Sequence, residues 1–328
     1  MTTHQSPVPA EKLWTWERPD QDSLDVAWQH CGDSLDHAEK EPVPAMVLVH
    51  GFGASGHHWR HNLTVLGNHT RTYALDLIGF GSSSQPQALL PGEQPRPEQA
   101  DGTQALTYSF DLWGMQVADF CNAVVQEPVL LVGNSIGGVV ALRAAQLLGN
   151  RCRGVVLIDC AQRLMDDKQL ATQPAWMAWI RPLLKSLVSQ RWLSTALFRN
   201  AARPGVIRRV LGQAYPSGAN VDDDLVELLY KPTQRPGAAE AFRGFINLFD
   251  DYLAPDLLKN LELPVHLIWG EKDPWEPIKE AREWANNFSC IESLDVIPHV
   301  GHCPHDEDPA ETNMLLLKIL NNINIKSR

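Results

Sequence analysis

The sequence GNSIGG at residues 133–138 stands between an apolar, β-branched run at 128–132 and an Ala- and Leu-rich run at 139–145. The first run predicts a buried strand, because proline and glycine bound it, and the second predicts a helix. A G-x-S-x-G pattern between a strand and a helix is typical of a nucleophile elbow, whose strained turn lifts the serine hydroxyl off the sheet edge. The sequence therefore predicts that Ser135 is a nucleophile; the alternative is a glycine turn that contains a serine by chance.

Strands and helices alternate on both sides of this turn. Further strands are predicted at 45–49, 72–77, 154–158, 264–269 and 294–297, and helices at 57–66, 108–125, 277–287 and 309–321. Residues 13–28 predict an antiparallel hairpin at one edge. Alternation of this kind predicts an α/β fold, here a mostly parallel eight-stranded sheet flanked by helices on both faces.

Residues 164–253 interrupt this alternation, because they contain helical patterns and no convincing strand. We expect a helical cap inserted at 164–253 into a core formed by residues 1–163 and 254–328. An apolar stripe in the cap includes Trp176 and Trp179, which are candidate substrate-binding residues. Most of this stripe must pack on the core, but so apolar a cap also favours an apolar substrate.

Composition limits the classes of function. The formal net charge is −11, which argues against general nucleic-acid binding. No apolar run approaches membrane-spanning length, and the first ten residues lack the pattern of a signal peptide. The six cysteines form no C-x-x-C pair, as expected for reduced thiols. These features predict a soluble cytoplasmic protein, although the basic cap leaves peripheral association with an anionic membrane as an alternative to a solvated face.

A nucleophilic serine needs a general base and an acid that orients it. Asp273 lies just beyond the strand predicted at 264–269, and His302 follows the next predicted strand. Because the carboxyl ends of parallel strands meet at one sheet edge, we expect Asp273 to orient His302 and His302 to deprotonate Ser135. Asp159, which ends the strand after the elbow, is the alternative orienting acid. His299 and His305 are the rival bases.

Oxyanion stabilisation needs two hydrogen-bond donors. The backbone N–H of Ile136 directly follows the nucleophile. The second donor is expected from the glycine-rich loop HGFG at residues 50–53, where the N–H of Phe52 is the natural candidate. We expect no cofactor and no metal, because the histidines near residues 57–61 lack the carboxylates of a metal motif. The long Pro-, Gln- and Gly-rich loop at 85–107 is either a mobile lid or disordered.

Five segments also resemble one known family. They are DLWxxQ at 111–116, VGNSIGG at 132–138, LYKP at 229–232, GEKDPW at 270–275 and GHCPHDE at 301–307. Over nearly its whole length the sequence resembles the α/β-hydrolase superfamily, and these segments resemble its pheophytinase and chlorophyll-dephytylase branch. Ile136 stands where leucine is usual in that branch, which is a conservative change.

The resemblance implies hydrolysis of the phytyl ester of a chlorophyll-type pigment, with a possible location at a photosynthetic membrane. The residues themselves predict a serine carboxylic-ester hydrolase that works through an acyl-enzyme. Three alternatives stay open within the fold: a general esterase or lipase, a cofactor-free perhydrolase, and a carbon–carbon bond hydrolase. Outside catalysis, the alternative is a binding protein that assists a pigment pathway.

Overall fold

The computed structural model describes residues 9–19, 21–32, 43–95, 104–163, 167–168 and 175–326, with backbone alone at 175–179 and 326. Eight strands form one sheet in the order β1-β2-β4-β3-β5-β6-β7-β8. Their bounds are β1 Lys12–Trp16, β2 Leu24–Cys31, β3 Ala45–Val49, β4 Thr72–Leu75, β5 Val129–Asn134, β6 Cys152–Ile158, β7 Val265–Gly270 and β8 Ile291–Ile297. β1 and β2 pair antiparallel at one edge, and the strands from β4 to β8 run parallel.

The central strand β5 has both of its faces covered. Val129 and Leu131 pack into one apolar layer with helix residues such as Trp113, whereas Leu130 and Val132 pack into a second layer on the opposite face. This alternation follows from the two-residue period of a strand. A parallel sheet buried on both faces explains why the strand sequences are continuously apolar, and it confirms the predicted α/β fold.

Helices cover both faces and fill the region between β6 and β7. The helices of the core are α1 Leu63–Gly67, α2 Phe110–Phe120, α3 Ile136–Leu148, α9 Ala254–Leu258, α10 Ile278–Asn287, α11 Pro304–Glu307 and α12 Pro309–Lys326. The helices of the predicted cap are α4 Ala175–Ser189, α5 Arg191–Ala201, α6 Pro204–Ala214, α7 Asp223–Thr233 and α8 Ala238–Ile246. No strand occurs between β6 and β7 in the part of this region that the structure describes.

Two predicted helices differ in detail from the structure. The helix expected at 57–66 is instead a 3₁₀ turn, Gly56–Trp59, followed by the five-residue α1. The helix expected from residue 108 begins at Phe110, because the Ser109 hydroxyl accepts a hydrogen bond from the Leu112 N–H and caps the first turn. Among the helices described here, none is both long enough and apolar enough to cross a membrane.

Candidate active site

Ser135 lies at the sharp turn between β5 and α3. Its backbone has φ 55° and ψ −124°, a conformation that a non-glycine residue rarely adopts. The turn is also crowded, because a Cβ atom on Gly133 would lie 2.1 Å from the carbonyl oxygen of Gly137. A strained residue held by close packing is typical of a functional position. The local geometry is therefore that of a nucleophile elbow.

Asp273 and His302 meet at the same edge of the sheet. Asp273 follows β7 and His302 follows β8, and both side chains are buried. The Asp273 Oδ2 atom lies 2.7 Å from Nδ1 of His302. With the Nδ1 proton held by the carboxylate, Nε2 of the same ring is left to accept a proton from another group.

A second contact fastens the histidine loop to the elbow. The Asn134 side-chain amide donates hydrogen bonds to the His302 carbonyl over 3.0 Å and to the Ile158 carbonyl over 3.2 Å. The Ser135 carbonyl accepts from the Ala161 N–H over 3.1 Å. Ser135 and His302 both line one cavity. The structure thus brings the predicted nucleophile, base and orienting acid into one site.

The charge of Asp273 depends on opposing effects. Burial raises the pKa of this carboxyl. The hydrogen bond and charge of His302, together with the hydrogen bond from the Trp275 N–H, lower it by more, so the pKa ends below its usual value of 3.8. Its Oδ1 atom accepts from the Trp275 N–H over 2.8 Å and from the Glu276 N–H over 3.1 Å. Asp273 is therefore ionised at neutral pH, as an orienting acid must be.

Asp159, the alternative orienting acid, contacts Asp273. Burial, followed by the negative charge of Asp273, raises the pKa of Asp159 well above its usual value. The two side chains share a hydrogen bond, and Asp159 Oδ1 accepts from the Gly270 N–H over 3.0 Å. A neutral Asp159 therefore donates its proton to the Asp273 carboxylate. Of the rival bases, His299 is exposed, and His305 is buried against His58.

The predicted oxyanion donors lie close to the nucleophile, one at the start of α3 and one on the loop after β3. Ile136 is the first residue of α3, and a helix gives the N–H groups of its first turn no internal acceptor. A Cβ atom on Gly51 would lie 3.2 Å from the Cβ of Ser135, so the backbone beside Phe52 approaches the serine closely. The Phe52 ring stacks on Phe245 of the cap, with 4.0 Å between centroids.

The site opens into an apolar cavity of about 580 Å³ between the core and the cap. This volume is within the range of about 300–1,000 Å³ that is typical of small-molecule sites. Most of the cap residues in its lining are apolar: Phe198, Ala201, Ala202, Ile207, Val210, Leu211, Ala214, Leu229, Pro232, Ala238, Phe242 and Phe245. Trp176 and Trp179 belong to α4, but their side chains lie outside the described part of the chain.

The cavity lining includes three further residues for which the sequence predicted no role: Trp275, Glu276 and His58. The Trp275 ring meets the His302 ring edge to face at 4.8 Å. Burial, opposed by the Gln162 N–H and reinforced by the charge of Asp273, raises the pKa of Glu276 to about 8. His58 is buried with its Nε2 atom 2.8 Å from the Tyr215 hydroxyl. Trp275 and Glu276 directly follow the Asp273-Pro274 step, a position that could have drawn attention to them.

The long loop after β4 is partly described. Ala88 forms an isolated parallel bridge with Leu106, and Gln85, Gln87 and Ala88 are buried. The Glu93 carboxylate pairs with Arg243 of α8, which is itself only 1% exposed. These contacts tie residues 85–93 to the cap, and residues 96–103 lie outside the described residues. Within the described ranges, no group of His, Cys, Asp and Glu side chains is arranged to hold a metal ion.

Several known proteins are similar to this chain. Pheophytinase of Arabidopsis thaliana is 26% identical over 313 residues, which cover 89% of this chain and 63% of the plant protein. Epoxide hydrolase 3 of Xenopus tropicalis is 22% identical over 84% of this chain and 71% of that protein. Among solved structures, a thermophilic esterase from Thermogutta terrifontis is 21% identical with a TM-score of 0.66, covering 96% of this chain and 99% of the esterase.

A family model also matches most of the chain. The model is described as the alpha/beta hydrolase family, and it matches residues 46–314. That range includes every strand from β4 to β8, almost all of β3, the cap helices, and the loops that carry Phe52, Ser135, Asp273 and His302. Together with the sheet order and the elbow geometry, this match shows that the chain belongs to the alpha/beta hydrolase family.

Proposed function

We propose that this protein is a serine carboxylic-ester hydrolase that works through an acyl-enzyme. The observation that carries the proposal is the 2.7 Å contact between His302 Nδ1 and Asp273 Oδ2, on the sheet edge where Ser135 occupies a strained elbow. An epoxide hydrolase of this fold would need a carboxylate nucleophile at the elbow, whereas the elbow here presents the hydroxyl of Ser135. The arrangement is that of acyl transfer.

In the proposed reaction, Nε2 of His302 takes the Ser135 proton while Oγ attacks the ester carbonyl carbon. The resulting oxyanion accepts hydrogen bonds from the N–H groups of Phe52 and Ile136. The tetrahedral intermediate then collapses, and the alcohol leaves with the proton from His302. A water molecule, deprotonated by His302, attacks the acyl carbon and releases the acid and free Ser135. Asp273 fixes the ring tautomer and stabilises its charged form in each half-reaction.

The proposed substrate is a large apolar ester such as the phytyl ester of chlorophyll or pheophytin. Two observations support it: the apolar lining of the cavity and the likeness to a relative named pheophytinase. Each methylene group that leaves water for such a cavity contributes about 0.8 kcal/mol, so a long isoprenoid or alkyl chain binds far better than a short one. A general esterase or lipase of apolar substrates fits the same cavity.

The test is incubation of the protein with chlorophyll a and with pheophytin a, followed by chromatographic separation of the dephytylated pigments. We expect product from at least one pigment, and none from the Ser135→Ala variant at equal concentration. Good turnover of a p-nitrophenyl ester without any dephytylated pigment would reject the pigment substrate and keep the esterase. Loss of both activities from the wild-type protein would reject the enzyme assignment itself.

A further inference from the structure

The cap carries an unusual balance of charge for this acidic protein. Residues 175–214, which form α4, α5 and α6, include seven basic residues and no acidic residue, although the whole chain has a formal net charge of −11. The seven are Arg181, Lys185, Arg191, Arg199, Arg203, Arg208 and Arg209. These three helices are therefore a strongly basic segment of an otherwise acidic molecule.

Four of these cations have acidic partners. Arg181 and Lys185 pair with Asp167, Arg191 pairs with Glu240, and Arg208 pairs with Asp223. The other three, Arg199, Arg203 and Arg209, are exposed and form no ion pair within the described residues. Their charges are available to an external anion.

Large apolar side chains are exposed on the same helices. Ile180, Leu183, Leu184 and Leu187 of α4 are exposed, and their spacing of three, four and seven residues places them on one stripe. Leu183 is 61% exposed, and Trp192 at the start of α5 is 70% exposed. Soluble monomers rarely leave such a patch in water, so it indicates an interaction surface.

We propose that this surface, the α4 stripe with Trp192 and the arginines at 199, 203 and 209, docks onto an anionic lipid bilayer. Leucine and tryptophan side chains beside arginines are the composition of an interfacial helix, in which apolar groups enter the lipid boundary and cations meet the headgroups. A second copy of the chain fits less well, because a two-fold contact would place this basic segment, which has no acidic residue, against its own copy.

Two of the three basic helices also line the cavity. The helices α5 and α6 contribute Phe198, Ile207, Val210 and Leu211 to the cavity lining, and Val210 is itself 43% exposed. A docked molecule therefore holds two walls of its cavity next to the lipid. The consequence rests on the proposed function: an apolar ester dissolved in the bilayer would enter the cavity without crossing water.

The test is sedimentation of the full chain with vesicles of phosphatidylcholine and with vesicles of equal parts phosphatidylcholine and phosphatidylglycerol. We expect binding to the anionic vesicles, weaker binding to the neutral ones, and weakening by salt. Leu183→Ser and Trp192→Ser should each weaken binding to anionic vesicles by about tenfold. The matched control is Leu13→Ser, since Leu13 is 64% exposed on β1, far along the sheet from the cap.

Charge is tested in the same way. Arg199→Gln and Arg203→Gln should each weaken binding to the anionic vesicles by about fivefold, whereas Lys279→Gln on α10, whose side chain is 84% exposed, should not. Absence of vesicle binding, or binding that the cap variants leave unchanged, would overturn the inference. Dimers that the same cap variants dissolve would assign the surface to a second copy instead. Turnover of a short soluble ester reports on the proposed function separately, because none of these substituted residues lines the cavity.

Discussion

The Asn134 side-chain amide donates a hydrogen bond to the carbonyl oxygen of His302 over 3.0 Å. The residue that precedes the proposed nucleophile is thereby fastened to the residue that carries the proposed base. The same amide also donates to Ile158 on the neighbouring strand. Two loops that are far apart in sequence thus share one anchor, and the position of the imidazole relative to Ser135 depends on it.

Removal of this anchor should slow catalysis with little effect on substrate binding. In Asn134→Ala the His302 carbonyl loses this donor, whereas the Ile158 carbonyl keeps the Ser135 N–H over 2.9 Å, so the histidine loop can move relative to the elbow. Misplacement of a catalytic group by about 1 Å costs roughly 10²-fold in rate, so kcat should fall by about that factor. Steady-state kinetics with a p-nitrophenyl ester measure this, and a change confined to KM would contradict the role of the anchor.

Substitution of the two neighbouring acids should separate their roles. Asp273→Asn removes the charge that stabilises the imidazolium and favours the wrong tautomer, so kcat should fall by about 10⁴-fold. Asp159 is neutral in the folded protein, and asparagine can still donate to Asp273 and accept from the Gly270 N–H. Asp159→Asn should therefore keep most of the activity. Equal losses in the two variants would assign the orienting role to the pair instead of Asp273 alone.

The buried Glu276 should make stability fall as the pH rises. Its pKa is raised from 4.5 to about 8 in the folded protein, so between these values the unfolded chain has lost a proton that the folded chain keeps. The unfolded state is then favoured increasingly from about pH 4.5 to pH 8, by about 1.4 kcal/mol per unit. Glu276→Gln has no such proton to lose.

Urea unfolding of the wild-type protein and the Glu276→Gln variant at pH 5.5 and pH 8.5 measures this difference. Relative to the wild type, the variant should be more stable at pH 8.5 than at pH 5.5. The comparison cancels the contribution of buried groups that do not interact with Glu276, such as His50, because both proteins share them. A difference between the two proteins that does not change with pH would contradict the raised pKa.

The cavity lining should set the preference for long apolar esters. Phe198 of α5 lines the cavity and contacts Phe242, with 5.4 Å between ring centroids. Phe198→Ala removes apolar surface from the wall and should raise KM for a long-chain p-nitrophenyl ester by about tenfold or more. A short-chain ester, which we expect not to reach this wall, serves as the internal control. Equal changes for both esters would show that Phe198 does not distinguish them.

Much of the core could be predicted from sequence because its signals are local. The β-branched run at 128–132 and the glycines around Ser135 specify a buried strand and a tight turn whatever surrounds them. Asp273 and His302 could be paired because parallel strands end at one edge of a sheet. The position of β3 was predicted to the residue, since a fully buried strand is continuously apolar.

The rest depends on contacts between distant parts of the chain. The proton on Asp159 reflects burial beside Asp273, which no local pattern encodes. The positions of Trp275 and Glu276 in the cavity lining depend on the folded cap, which forms the opposite wall. The region predicted as one helix at 57–66 divides before Leu63. The preceding residue, Asn62, is buried and donates to Asn313 of α12, a partner that lies across most of the sequence.

The central claim is that Ser135 is the nucleophile of an ester hydrolase, and covalent labelling tests it most directly. The protein is treated with a fluorophosphonate, its intact mass is measured, and the modified peptide is sequenced by mass spectrometry. We expect a single adduct on Ser135, loss of ester turnover in proportion to labelling, and no labelling of a folded Ser135→Ala variant. An unlabelled wild-type protein, or an adduct that persists in Ser135→Ala, would contradict the claim.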